Sequence, residues 1–143
     1  GGKQVKTISI YLASTRNFQR EEKTVEAFCK AEAFFCSKIL KNLEIKYKFN
    51  TYIAGSIDII PKHFRESINE ICSITNQNSE LKINLCIAYN PIDEIWEASN
   101  KAQTKEDFVS NLWVNSPLDI LIRSGHSNSI SNFLPIQNGY SWV

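Results

Sequence analysis

Histidine is scarce in this chain, two residues in 143, and its four cysteines, Cys29, Cys36, Cys72 and Cys86, contain no CxxC pair. Neither set has the spacing of a zinc site. The cysteines lie inside apolar-periodic stretches and read as packing thiols of a reducing compartment. An excess of either charge is also lacking: 16 Lys+Arg against 15 Asp+Glu leave +1. No global field therefore draws nucleic acid or an anionic membrane, and a charged ligand must be met by a local cluster. No run approaches the roughly 18 apolar residues of a spanning helix. No charged-then-apolar leader opens the sequence, so a cytoplasmic protein, at most peripheral to a membrane, is expected. Internal repeats and low-complexity linkers are absent as well. Hydrophobic residues at 43% and charged residues at 22% match a globular chain, which excludes disorder and collagen-like repeats. At this length a single domain with its own core is expected over residues 1–143.

What is present alternates. Val5, Ile8, Ile10 and Leu12 form a β-prone run that ends in a polar loop at 14–17. Over 21–40 the apolar positions Val25, Phe28, Cys29, Phe35, Cys36, Ile39 and Leu40 follow a helical stripe, with acidic residues in its first turn. Its bulky face is read as core packing, with the wall of an apolar ligand tunnel as the sharper alternative. Leu43, Ile45, Tyr47 and Phe49 alternate with charged residues, the period of a strand with one wet face. Pro61 opens a helical pattern through Phe64, Ile68 and Ile71. The run 81–89 is almost continuously apolar, as in a central parallel strand covered on both faces. Two short helices are expected at 93–102 and 104–113, the second capped by Thr104. A buried strand is expected at 118–122, then a turn and a helix from about Ile130. Alternating strands and helices give an α/β fold, a central, mostly parallel sheet flanked by helices.

In such sheets ligands collect where strands end and helix N-termini present free N–H groups. Three segments qualify: 13–20, 89–94 and 123–132. In the last, Arg123 leaves a strand, Gly125 permits a tight turn, and Ser127, Ser129 and Ser131 follow. A guanidinium with hydroxyls and N–H groups makes a cradle for phosphate or diphosphate. Gly125-His126-Ser127-Asn128-Ser129 also approximates a nucleophile elbow. That fold requires an acid and a histidine later in the chain, and residues 129–143 contain neither. His126 is read as a turn residue and His63 as lying on the wet side of its helix.

Taken in order, these segments resemble the cis-prenyltransferases, the family of undecaprenyl and dehydrodolichyl diphosphate synthases. Asp119 to Gly125, followed by Ile130-Ser131-Asn132-Phe133-Leu134 and Gln137, is similar to that family's closing D-L-x-I-R-T-x-G-E-x-R-x-S-N-F-L-x-W-Q pattern, and Tyr140 also matches. Ser14 to Arg20 resembles its F-S-x-E-N-W-x-R-P segment, residues 55–61 its G-D-x-S-x-L-P turn, and residues 83–95 its L-N-x-x-x-A-Y-G-G-R-x-E-I strand. The resemblance implies an undecaprenyl diphosphate synthase-like fold and a transferase that condenses isopentenyl diphosphate with an allylic polyprenyl diphosphate into a Z-configured chain.

It implies roles too. Arg123 and Ser131 would hold isopentenyl diphosphate beside Gly125, while Ser14, Asn17 and Arg20 would line the allylic side near the reacting carbons. The family uses Mg2+, yet its opening aspartate motif would precede Gly1. Trp142 stands at the position of a glutamate that joins the metal site. Arg16 replaces glutamate, Asn90-Pro91-Ile92 replace Gly-Gly-Arg, Ser127 and Ser129 replace Glu and Arg, and Pro135-Ile136 replace Leu-Trp. From these departures no metal ligand is assigned to this chain, and activity is expected to be weak or absent. The alternative is a non-catalytic family subunit that binds diphosphate or a partner synthase. A homodimer, or a heterodimer with a cis-prenyltransferase homologue, is implied by the resemblance, with no nucleic-acid partner and no transmembrane segment.

Overall fold

The computed structural model describes residues 4–78, 80–125 and 129–139. They fall into two compact units, Gly1–Tyr89 and Asn90–Val143. His126, Ser127, Asn128, Tyr140 and Trp142, all named in the sequence analysis, lie outside the described residues.

The first unit is built on three parallel strands, β1 (Thr7–Tyr11), β2 (Phe49–Ala54) and β3 (Leu81–Cys86), in the order β1-β3-β2. β3 is central, as its apolar run requires. The register sets Ile8, Ile83 and Thr51 side by side, then Ile10, Leu85 and Ile53. Because side chains alternate along a strand, these rows share one face, and that face joins Phe64, Ile68 and Ile71 in the core. The opposite face is polar. There Asn84 Nδ2 donates to Ser9 Oγ at 3.1 Å, and the Lys82 ammonium sits 4.6 Å from the centre of the Tyr52 ring.

Helix α1 (Glu22–Phe34) continues through a π-helical stretch, Phe35–Leu40, into α2 (Lys41–Tyr47). Cys29, Cys36 and Leu40 face inward and are buried. The strand expected over 43–49 is therefore helix up to Tyr47. Leu43, Ile45 and Tyr47 are all exposed, so their alternation had no sheet face to bury, and an existing helix propagates at little cost. It stops at Lys48, whose φ of 49° is left-handed; the Lys48 N–H donates to Glu44 O at 2.9 Å. β2 begins only at Phe49, which Asn78 secures through a 2.9 Å bond from Nδ2 to Phe49 O. Helix α3 (Lys62–Thr75) starts just after Pro61, and His63 is exposed on it. The polar loop after β1 is a short 3-10 turn, Thr15–Gln19.

In the second unit, Asn90 Oδ1 accepts from Ile92 N and caps α4 (Pro91–Lys101). Thr104 caps α5 (Lys105–Asn111) by accepting from Asp107 N at 3.0 Å. The strand expected at 118–122 is not formed: among the described residues this segment holds a lone bridge residue at Ile120 and no ladder. Ile122 is 91% exposed and only Leu121 is buried. The Leu118 N–H instead donates to Gln137 O at 2.9 Å. The helix expected from Ile130 is a series of turns, because Ser131, Asn132 and Leu134 all take positive φ, which an α-helix does not admit. No described helix is long and apolar enough to cross a membrane.

Candidate functional site

The carboxyl ends of β1 and β3 are sewn together. Leu12 N and Ala13 N both donate to Cys86 O (3.0 and 3.2 Å), Tyr89 N donates to Ala13 O (2.9 Å), and Thr15 N to Tyr89 O (3.3 Å). Ser14 thereby bridges Tyr89 in parallel. At the end of β2, Gly55 has φ 150°, and a Cβ there would lie 1.7 Å from Ile87 O. Only glycine lets the chain leave β2 so close to the end of β3, after which Ser56 N donates to Ala88 O.

On this platform Ser14 and Asn17 come together. Asn17 Oδ1 accepts from Ser14 N and from Ser14 Oγ, both at 2.8 Å, while Asn17 N donates to Ser14 O at 3.1 Å. A backbone N–H can only donate, which fixes the amide with its oxygen inward. The Nδ2 amino group is turned the other way. The Tyr11 hydroxyl is hydrogen-bonded to Ser14; burial pushes the Tyr11 pKa up, and that bond opposes the rise. Tyr11 also meets Tyr89 edge to face at 6.0 Å. Phe18, inside the 3-10 turn, packs edge to face on Phe28 of α1 at 6.0 Å. Arg20 follows the turn in extended backbone and is exposed. The turn thus presents an amide, held from behind, and an exposed cation three residues on.

The second cluster lies in the second unit. Arg123 Nη1 donates to Ser131 Oγ at 3.1 Å, across eight residues, and Ser131 N donates to Ser129 Oγ at 3.0 Å. The contact leaves most of the guanidinium's N–H donors open, and its charge is permanent. Since the Ser131 oxygen accepts from Arg123, its own proton is free for an anion. Gly125, two residues on, has φ 93° with open space around it, so backbone conformation rather than crowding calls for glycine.

One buried knot escaped the sequence reading. Glu94, 1% exposed, accepts at Oε1 from Val114 N (2.9 Å) and from Gln137 Nε2 (3.1 Å), and Gln137 Nε2 also donates to Val114 O (2.7 Å). An acidic residue in a helix first turn is ordinarily solvated; nothing local in the sequence marked this one as buried. From the end of α1 through the π-helical stretch to α2, Phe34, Ile39, Leu43 and Tyr47 are exposed at spacings that one helix face can carry. Among the described residues no three His, Cys, Asp or Glu side chains converge to hold a metal ion.

Comparison with known proteins places the chain. A family model described as "Putative undecaprenyl diphosphate synthase" matches residues 2–143. The chain is 28% identical over 145 residues to an isoprenyl transferase of Fusobacterium nucleatum, covering 96% of the chain and 63% of that relative. It is 25% identical to an Archaeoglobus fulgidus tritrans,polycis-undecaprenyl-diphosphate synthase (geranylgeranyl-diphosphate specific), covering 93% and 60%. The chain therefore spans somewhat under two thirds of the curated relatives it matches. The fold is similar to the crystal structure of a probable undecaprenyl diphosphate synthase from Campylobacter jejuni, with a TM-score of 0.86 at 24% identity, covering 96% of this chain and 68% of that one.

Proposed function

The chain belongs to the undecaprenyl diphosphate synthase family, and from that membership we propose that it carries the substrate-holding part of a cis-prenyltransferase. In this reading the two units are parts of one partial domain, since the family match runs through both. Arg123 and Ser131 hold isopentenyl diphosphate: the guanidinium neutralises charge with paired N–H donors, and the Ser131 hydroxyl adds a fixed donor. Asn17 turns its Nδ2 toward the allylic diphosphate, Ser14 orients that amide, and Arg20 supplies positive charge nearby.

The reaction forms a carbon–carbon bond between the isopentenyl unit and the allylic carbon, breaks the allylic C–O bond to release pyrophosphate, and returns a proton to solvent. Donors aimed at the departing oxygens stabilise charge as it develops. The exposed face of Phe34, Ile39, Leu43 and Tyr47 supplies an apolar wall for the growing chain. Magnesium, which the family uses, would neutralise the leaving diphosphate. The described residues do not offer it three ligands, so what is assigned to this chain is binding, orientation and donation of hydrogen bonds. Pairing with a second copy or a homologue, and a cytoplasmic place of work, belong to the same proposal.

The observation that carries this reading is the Arg123 to Ser131 contact, which brings a guanidinium and a hydroxyl together as a diphosphate cradle requires. The test is incubation of the chain in excess with radiolabelled isopentenyl diphosphate, farnesyl diphosphate and Mg2+. Slow transfer of label into a longer extractable lipid is expected. Failure of the chain to retain labelled isopentenyl diphosphate at all, in the same mixture, contradicts the reading.

A further inference from the structure

Arg123 and Ser131 are exposed and sit on a segment that forms neither the expected strand nor the expected helix. Something else must hold it in shape. The backbone bond from Leu118 N to Gln137 O, at 2.9 Å, joins the two ends of the stretch that carries both residues. The Gln137 side chain then runs inward, 6% exposed, and its Nε2 donates at once to Glu94 Oε1 and to Val114 O. Glu94 in turn accepts from Val114 N. One glutamine thus ties the return end of the segment to α4 and to the chain just before its start. Its Oε1 is buried and finds no partner, a desolvation cost that is tolerated where the other end of the amide is needed.

We propose that the Glu94–Gln137 clasp is a positioning device for the diphosphate cradle, closing residues 118–137 into a loop that keeps Arg123 within reach of Ser131. This rests on the diphosphate reading of that pair. The physics is that of loop closure. With its ends pinned, the segment has already lost the freedom that two convergent donors would otherwise have to give up on binding. Neither Glu94 nor Gln137 touches the ligand. Ligand binding and clasp formation should then be coupled in both directions.

The coupling is readable on the unaltered chain by amide hydrogen exchange with and without inorganic pyrophosphate. The Val114 and Leu118 amides, both bonded within the clasp, should exchange about tenfold more slowly when pyrophosphate is bound, while amides of α1 stay unchanged. If calorimetry shows pyrophosphate bound and these two amides do not respond, the clasp proposal is overturned and the diphosphate reading stands. If pyrophosphate does not bind at all, the diphosphate reading fails and takes the clasp with it. A second arm uses Gln137→Met, which removes both donated bonds at similar volume, and should weaken pyrophosphate binding about tenfold. Glu94→Gln keeps an acceptor oxygen and should retain most of the affinity, a rescue that general destabilisation would not give. Undiminished affinity in Gln137→Met contradicts the proposal. Should that variant not fold, the exchange experiment decides.

Discussion

Asn17 has its two functional ends separated by its neighbour. Two donors of Ser14 claim its oxygen, so the amide has one orientation and its Nδ2 one direction. Asn17→Asp separates scaffold from function, because the carboxylate still accepts both Ser14 bonds but loses the outward donor and sets a negative charge toward a diphosphate. Melting temperature should hold, and any prenyl transfer should fall by about 100-fold or more, the scale of losing one aimed donor. Unchanged transfer contradicts the role given to Asn17. At this scale it was the resemblance to the family's motifs that singled out Ser14, Asn17, Arg20, Arg123 and Ser131, and the structure joins Ser14 to Asn17 and Arg123 to Ser131. Tyr11 behind Ser14 and Gln137 behind the cradle were not understood, because their work is to satisfy partners brought close only by the fold.

Among the elements, β1, β3, α3, α4 and α5 were readable because each couples a strong apolar period to a clear start, Pro61 or Thr104 for example. The misreadings share a cause. Alternation over 43–47 and apolarity over 118–122 point to buried strands, yet Ile45 and Ile122 are among the most exposed large apolar side chains. Period alone does not say whether a partner surface exists. The helix boundary at Lys48 offers a test, since a lysine there occupies the left-handed region at φ 49°. Lys48→Gly should stabilise the chain by about 0.5–1 kcal/mol in urea titration, the relief of that backbone strain less the entropy glycine adds to the unfolded state. The Lys48 to Glu44 ion pair that is lost, 3.4 Å long with a solvent-exposed ammonium, offsets little of this. Destabilisation would contradict the assignment of the helix end.

For the whole molecule, the absence of paired cysteines was a sound guide. All four are free, and Cys29, Cys36 and Cys86 are buried. Burial first, then the neighbouring Glu32 carboxylate, pushes the Cys36 thiol from 9.0 up to about 12; burial pushes Cys72 up to about 11. A folded pKa above the unfolded one means the folded state holds its proton more tightly. The resulting stability is complete below pH 9 and drains as pH rises from 9 through 11 and 12. Melting temperature should therefore fall steeply above pH 9, with little thiol reactivity toward a disulfide reagent at pH 8. Rapid labelling of the folded chain at pH 8 would contradict the packing role. The family match across residues 2–143 fits an α/β fold whose order of segments survived while many motif residues changed, which is why kinship was easier to read than activity.

Calorimetric titration of inorganic pyrophosphate into the chain and into Arg123→Ala is the most direct check on the diphosphate cradle. Saturable binding is expected for the former, and binding weaker by about tenfold or more for the latter, as loss of a charge-assisted pair requires. Equal binding by both chains, or none by either, would contradict a cradle built on Arg123 and Ser131.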